Sequence, residues 1–216
     1  TMVRQLPREY NAQLILSSHM VNPQPHGFNM IVNMFSIPLI HYKCSWWTAK
    51  KERLLRHIET RTFTQGMETI LSDYLDGNPV EEITDIMSDE LSWFAHDLQC
   101  KPLITETWYE RALPHMYHPT HNHGHGGWSA VVFIEYSKWH TPTQFIAPFD
   151  HFITGEPLIY SPTVEEGDII LFPSFIHHYT HPHTSEERRT VLSFNVAVDK
   201  DNVPLSWTGN KESHKG

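Results

Sequence analysis

Cysteine is nearly missing from this chain. Its 216 residues include only Cys44 and Cys100, far apart and in no CxxC pair. That argues against a disulfide framework and makes a reducing cytoplasm the expected compartment. Basic residues are also scarce: 16 Lys and Arg face 25 Asp and Glu, for a formal net charge of -9, and no basic cluster stands out. Binding to a nucleic-acid backbone needs such a cluster, so nucleic acid is not an expected partner. No apolar run is long enough to cross a bilayer. The most apolar early stretch, residues 28–40, is interrupted by Asn29, Asn33, Ser36 and Pro38, and no signal peptide is visible, so no membrane partner is expected. Internal repeats and low-complexity linkers are absent as well. The chain therefore reads as a single domain over 1–216.

Histidine is what the chain has in excess. Of its 17 histidines, nine fall in two windows, 115–125 and 177–183. The first window contains His121-Asn122-His123-Gly124-His125-Gly126-Gly127-Trp128 and runs into an apolar stretch, Ser129 to Ile134. In an extended chain, residues i and i+2 share a face, so His121 and His123 can present two nitrogens to one point. Neutral imidazole is the commonest metal ligand among side chains. The plainer alternative is a His-rich loop without a metal; the repeated spacing beside a strand-like run favours the metal. Glycine weakens strands, so Gly124, Gly126 and Gly127 are expected to break this one after His123, which makes His125 the weaker ligand. A third ligand must come from elsewhere.

The second window supplies it. In Pro173-Ser174-Phe175-Ile176-His177-His178-Tyr179, Ile176, His178 and Thr180 share one face and His177, Tyr179 and His181 the other, so only one of the paired histidines can point inward. The alternative is one satisfied core histidine and one exposed. Downstream, Arg188 and Arg189 open a run in which Thr190, Leu192, Phe194, Val196 and Val198 form an apolar face and Arg189, Val191, Ser193 and Asn195 the other. An arginine at the start of a polar inner face suits a carboxylate ligand through its planar fork. Arg188, of opposite parity, is the better candidate for a surface ion pair with Glu186 or Glu187.

The coarse elements divide the chain in two. Residues 46–60 read as a helix with Trp47, Leu54 and Ile58 on one face. Thr62 and Gln65 fit a capping box, followed by Met67, Ile70, Leu71 and Tyr74 at helical spacing. Asn78, Pro79 and Glu81 start a long helix whose stripe is Val80, Ile83, Met87, Leu91, Phe94 and Leu98. Strand pieces are expected at Met30–Val32 and Met34–Ile37. After Pro102, period-two patterns mark strands at 104–112, 128–136, 143–147, 157–160, 168–172, 175–181 and 189–198. The expectation is a mainly β (α+β) fold with helical support over 45–100 and a β core over 104–198. The long helix is expected to lay its stripe on the face carrying Leu192, Phe194 and Val196.

His121-x-His123, Trp128-Ser129-Ala130-Val131, Glu166-Gly167-Asp168, Phe172-Pro173-Ser174-x-x-x-His178 and Arg189 to Asn195, in that order, resemble the 2-oxoglutarate/Fe(II)-dependent oxygenases. The nearest group is the one with phage and marine bacterial members, and the resemblance spans about residues 105–198. It implies a double-stranded β-helix, a cupin-like jelly-roll, with metal and cosubstrate inside one mouth. It implies His121, His123 and His178 as metal-binding and catalytic residues, and Arg189 as the clamp on 2-oxoglutarate, with Ser193 and Tyr117 as further cosubstrate contacts. The cofactors implied are Fe(II) and 2-oxoglutarate. The partners are O2 and a small-molecule or protein side-chain substrate, in the host cytoplasm if the gene is phage-borne; a homodimer stays open. His123 departs from the pattern, because the usual triad is two histidines and one carboxylate. Three neutral histidines leave Fe(II) its full double charge, which the dianionic cosubstrate would partly offset. Glu135 and Asp150 lack the spacing to replace His123. The alternatives are a three-His cupin-type dioxygenase that needs no keto acid, a non-catalytic metal-binding jelly-roll or virion protein, and a three-His zinc site of hydrolytic type.

Overall fold

The computed structural model describes residues 36–65, 70–76 and 79–199. In chain order the elements are β1 (Ile40–Lys43), α1 (Trp47–Glu59), β2 (Thr64–Gln65), β3 (Leu71–Ser72), α2 (Val80–Ile86), α3 (Ser88–Leu98), β4 (Pro102–Ala112), β5 (His118–His121), β6 (Trp128–Glu135), β7 (Gln144–Asp150), β8 (Pro157–Tyr160), β9 (Asp168–Pro173), β10 (His177–Thr180) and β11 (Arg189–Val198). A seven-stranded sheet runs β1-β9-β6-β11-β4-β3-β2 and a four-stranded sheet β5-β10-β7-β8, with every pairing antiparallel.

The alternation on β11 dictates the layers. Leu192, Phe194 and Val196 join Ile83, Met87, Leu91 and Phe94 in one buried cluster, which puts the helices on the outer face of the large sheet. The opposite face, with Val131, Phe133, Ile170, Phe172 and Val191, packs on Phe145 and Ile176 of the small sheet's side. Phe145 and Phe172 meet across the two sheets with ring centroids 4.7 Å apart. Two antiparallel sheets closed face to face over an apolar core make a double-stranded β-helix, the expected architecture. No helix among the described residues is long and apolar enough to cross a membrane.

Three expectations change. The segment after Thr62 is not helical where it is described: Thr64–Gln65 pairs with Leu71–Ser72, which in turn adds to the edge of β4 at Arg111 and Glu110. An open edge of β4 favours pairing over a short helix, and Asp73 locks the hairpin. Its carboxylate accepts the Tyr109 backbone N–H at 2.6 Å and the Arg61 Nε at 2.6 Å. The long helix is two, α2 and α3, meeting at Met87. The backbone ladder continues through the junction, from Met87 N–H to Ile83 O and from Leu91 N–H to Met87 O. Ser92 Oγ also bonds Ser88 O at 2.8 Å, a back-bond that bends helices. Strand β1 went unread. The expected strand piece Met30–Val32, the first half of Met34–Ile37 and the cap at Asn78 lie outside the described residues, and residues 36–37 are not in a strand.

Phe94 is fully buried and meets Trp128 edge-on at 5.3 Å, tying α3 to β6. Phe94→Ala is expected to lower unfolding free energy by about 3–5 kcal/mol in urea titrations, whereas Leu75→Ala, at a side chain 84% exposed, should stay within about 0.5 kcal/mol of wild type.

Candidate metal centre

β5, β10 and the turn after β5 bring three imidazoles together. One ring nitrogen from each of His121, His123 and His178 lies within 4.8 Å of the others. His121 and His178 are directly opposed in the β5–β10 register. Strand β5 ends at His121, two residues earlier than the glycines led us to expect. His123 is nonetheless held, because its backbone N–H donates to Ser174 O at 2.9 Å. Gly127 makes the return into β6 feasible: its φ is +82°, and a Cβ there would sit 2.6 Å from Val196 O. Parity worked as expected in the second window: His178 is buried and His177 exposed, as is His125.

Each imidazole is oriented by an acceptor for its Nδ1. His121 Nδ1 lies 2.9 Å from Pro119 O, His178 Nδ1 2.9 Å from Ile176 O, and His123 Nδ1 2.8 Å from Asn195 Oδ1. Carbonyl oxygens only accept, so each ring carries its proton on Nδ1 and keeps the Nε2 lone pair. This is how metal-binding histidines are held. Asn195 is itself fixed, receiving the Ser129 hydroxyl at 3.0 Å and donating to Glu106 at 2.9 Å. Burial depresses the basicity of His178 and His121, with the neighbouring imidazoles adding to it. The His178 pKa is pushed down to about 3 and His121 is lowered in the same direction. Both shifts favour the neutral ring, the state a metal requires. Three converging neutral donors fit a divalent metal, with coordination positions left over.

The histidines open onto a narrow cavity also lined by Glu110, His118, Val131, Thr143, Thr180 and Ser193. Arg189 lies beside it. It is 2% exposed, and its only hydrogen bond among the described residues runs from Nη2 to Thr143 Oγ1 at 3.4 Å, leaving Nε without a partner. Burial lowers its pKa while Glu110 and Tyr136 oppose the shift. A buried guanidinium with spare donors fits a carboxylate. Arg188 takes the surface role, but with Glu135, at 2.8 and 2.9 Å, rather than with Glu186 or Glu187. That pairing also occupies Glu135, one of the two carboxylates considered as replacement ligands. Ser193 lines the cavity; Tyr117 is half-exposed and is not among the lining residues.

Sequence reasoning gave no role to Trp108, Glu110, His118, Thr143 or Asn195. A signal existed for one of them. Asn195 shares parity with Arg189.

Residues 106–195 match a family model described as "Putative 2OG-Fe(II) oxygenase". No curated protein matches the chain in sequence. Among solved structures, a 2OG-Fe(II) oxygenase family oxidoreductase from Burkholderia pseudomallei is similar at 12% identity and a TM-score of 0.54, over 74% of this chain and 84% of that one. A Pseudomonas putida prolyl-4-hydroxylase is similar at 13% identity and 0.53, over 74% and 91%. HygX from Streptomyces hygroscopicus, solved with nickel, 2-oxoglutarate and hygromycin B, is similar at 11% and 0.54, over 74% and 82%. These likenesses show the shared fold. The matched stretch, 106–195, contains every cavity residue named above, and over it this chain is similar to the 2OG-Fe(II) oxygenases.

Proposed function

We propose that His121, His123 and His178 hold the Fe(II) of a hydroxylase that uses 2-oxoglutarate and O2, and that Arg189 receives the keto acid's carboxylate remote from the metal. The observation that carries this reading is the common orientation of the three rings, each donating Nδ1–H and turning a free Nε2 toward one point. When bound, Fe(II) supplies open coordination positions and the redox chemistry that activates oxygen. The protein's own part is positioning. Arg189 offers Nε and its remaining Nη donors to the incoming carboxylate. Ser193 and Thr143 add hydroxyls to the same wall, and Val131 keeps part of the cavity apolar. The reaction consumes 2-oxoglutarate, O2 and a substrate C–H bond and releases succinate, CO2 and an alcohol. The substrate class is a small molecule or a protein side chain. Residues 104–198 form the catalytic unit and 45–100 its support, within one domain.

The metal reading predicts that His178→Ala loses bound metal while His177→Ala keeps it, measured as metal content after loading with Fe(II) under anaerobic conditions. The reverse result would refute the parity assignment.

Buried His178 also predicts the pH response of the metal-free protein. Its folded pKa, about 3, lies below the ordinary 6.5, so below that value the unfolded chain takes up a proton that the folded chain refuses. Stability is therefore full above about pH 6.5 and falls as pH drops toward 3, with a slope from this group of about 1.4 kcal/mol per pH unit. Urea titrations in chelator should show a shallower decline for His178→Asn.

The cosubstrate reading predicts that Arg189→Ala keeps metal but loses 2-oxoglutarate, while Arg188→Ala loses neither. Removing one partner of a buried charge pair costs ~3–5 kcal/mol, so affinity should fall by roughly a hundredfold or more. The measurement is an anaerobic titration of the Fe(II)-loaded protein with 2-oxoglutarate, followed by its visible charge-transfer band. If wild type shows no binding at millimolar keto acid, the reading gives way to a three-His dioxygenase that acts directly on its substrate.

A further inference from the structure

The three-histidine set lacks the carboxylate of the usual triad, and an acid lines the same cavity. Glu110 on β4 is 8% exposed and lines the same cavity as the three imidazoles. Both of its oxygens are held: Trp108 Nε1 donates to Oε1 at 2.8 Å, and His118 Nδ1 lies 3.4 Å from Oε2. The two rings that hold it are also the two that lie against the histidine cluster from this side. His118 stacks on His121 with centroids 4.0 Å apart at 23°, and Trp108 lies 5.2 Å from His123 at 39°. Burial alone would push the Glu110 acid up, but the charge and hydrogen bond of His118 and the indole N–H hold it well below the usual carboxylate range.

We infer that Glu110 supplies, from outside the ligand set, the negative charge that a coordinating carboxylate supplies in the usual site, and so sets the metal affinity of the three-histidine cluster. This rests on the iron site proposed above. A divalent metal and the Arg189 cation carry more positive charge than dianionic 2-oxoglutarate cancels, and Glu110 is a buried acid on the same cavity that opposes the excess. A charge left uncompensated in a buried site is expensive. The other nearby acid is less suited. Glu106 reaches His123 only through Asn195 and is partly exposed, so solvent screens it. Among the described residues no ion pair joins Glu110 to Arg189, which leaves the guanidinium for the keto acid.

The test titrates metal-free protein with Mn(II), and separately with Ni(II), by calorimetry without 2-oxoglutarate. Removing a partner that supports metal ligands typically weakens metal binding ten- to a hundredfold, and about that loss is expected for Glu110→Gln. Glu110→Asp, which keeps the charge, should stay close to wild type. The double variant Glu110→Gln/His123→Asp should recover affinity, because the charge moves into the ligand set. Wild-type affinity in Glu110→Gln, equal weakness of the Gln and Asp variants, or a double variant no better than Glu110→Gln would each overturn the inference while leaving the iron site intact. Unchanged metal affinity with tighter 2-oxoglutarate binding in Glu110→Gln would overturn it in favour of competition between Glu110 and the keto acid. If Glu110→Gln does not fold, comparing the double variant with His123→Asp carries the test: Glu110 should then matter little, and a further loss of about tenfold overturns the inference. Failure of wild type itself to bind either metal overturns the iron site and this inference with it, whereas the outcomes above overturn the inference alone.

Discussion

The site depends on one register, that of β10 against β5, in which His178 stands opposite His121. Directly opposed residues in an antiparallel pair bring their Cβ atoms within about 4.5–5.5 Å, close enough for two imidazoles to share a metal. Because side chains alternate along a strand, a slip of one residue would replace buried His178 with His177, which faces solvent and meets Asn122 at 3.2 Å. The register is held from both sides. β10 also pairs with β7, which places Phe145 beside His178, and Phe172 packs on the same imidazole with centroids 4.8 Å apart.

The three ligands are then oriented in two different ways. His121 and His178 each bond a carbonyl two residues back in their own chain, Pro119 O and Ile176 O. Their orientation comes from local backbone geometry. His123 lies beyond the end of its strand and has no such carbonyl. It depends on Asn195, from β11, and thus on the large sheet. The bond between His123 and Asn195 is therefore also a tie between the two halves of the barrel, reinforced by Ser129 bridging to both Asn195 and Ser174.

The helices reach this chemistry indirectly. Their stripe covers Leu192, Phe194 and Val196 on β11, while Arg189, Val191, Ser193 and Asn195 of the same strand face inward. Burying one face fixes which side chains the other presents. Burial of several apolar side chains, at about 1.5–3 kcal/mol each, gives the strand a position that the polar inner face alone could not maintain. The buried acid Glu110 is the electrostatic counterpart. It tolerates burial because Trp108 and His118 each hold one of its oxygens.

Wherever a period alone decides, the sequence was sufficient. Alternation over 189–198 placed Arg189 and Asn195 on the face opposite Phe194, and the three-to-four spacing from Ile83 to Phe94 placed that stripe on the sheet. The spacing of His121 and His123 and the parity of His178 picked out the cluster, and the order of these motifs carried the resemblance to the oxygenases. Tertiary structure decided what no local period encodes. The stretch after Thr62 looks helical by spacing, yet it pairs with the open edge of β4, since an unpaired edge 40 residues downstream cannot be read from local pattern. Glu110, Trp108 and His118 are unremarkable in isolation, and they meet the ligand histidines only because β4 and β5 come together around one cavity. Side-chain period is a property of one strand, while the electrostatic environment of a metal site is a property of several, and only folding brings those together.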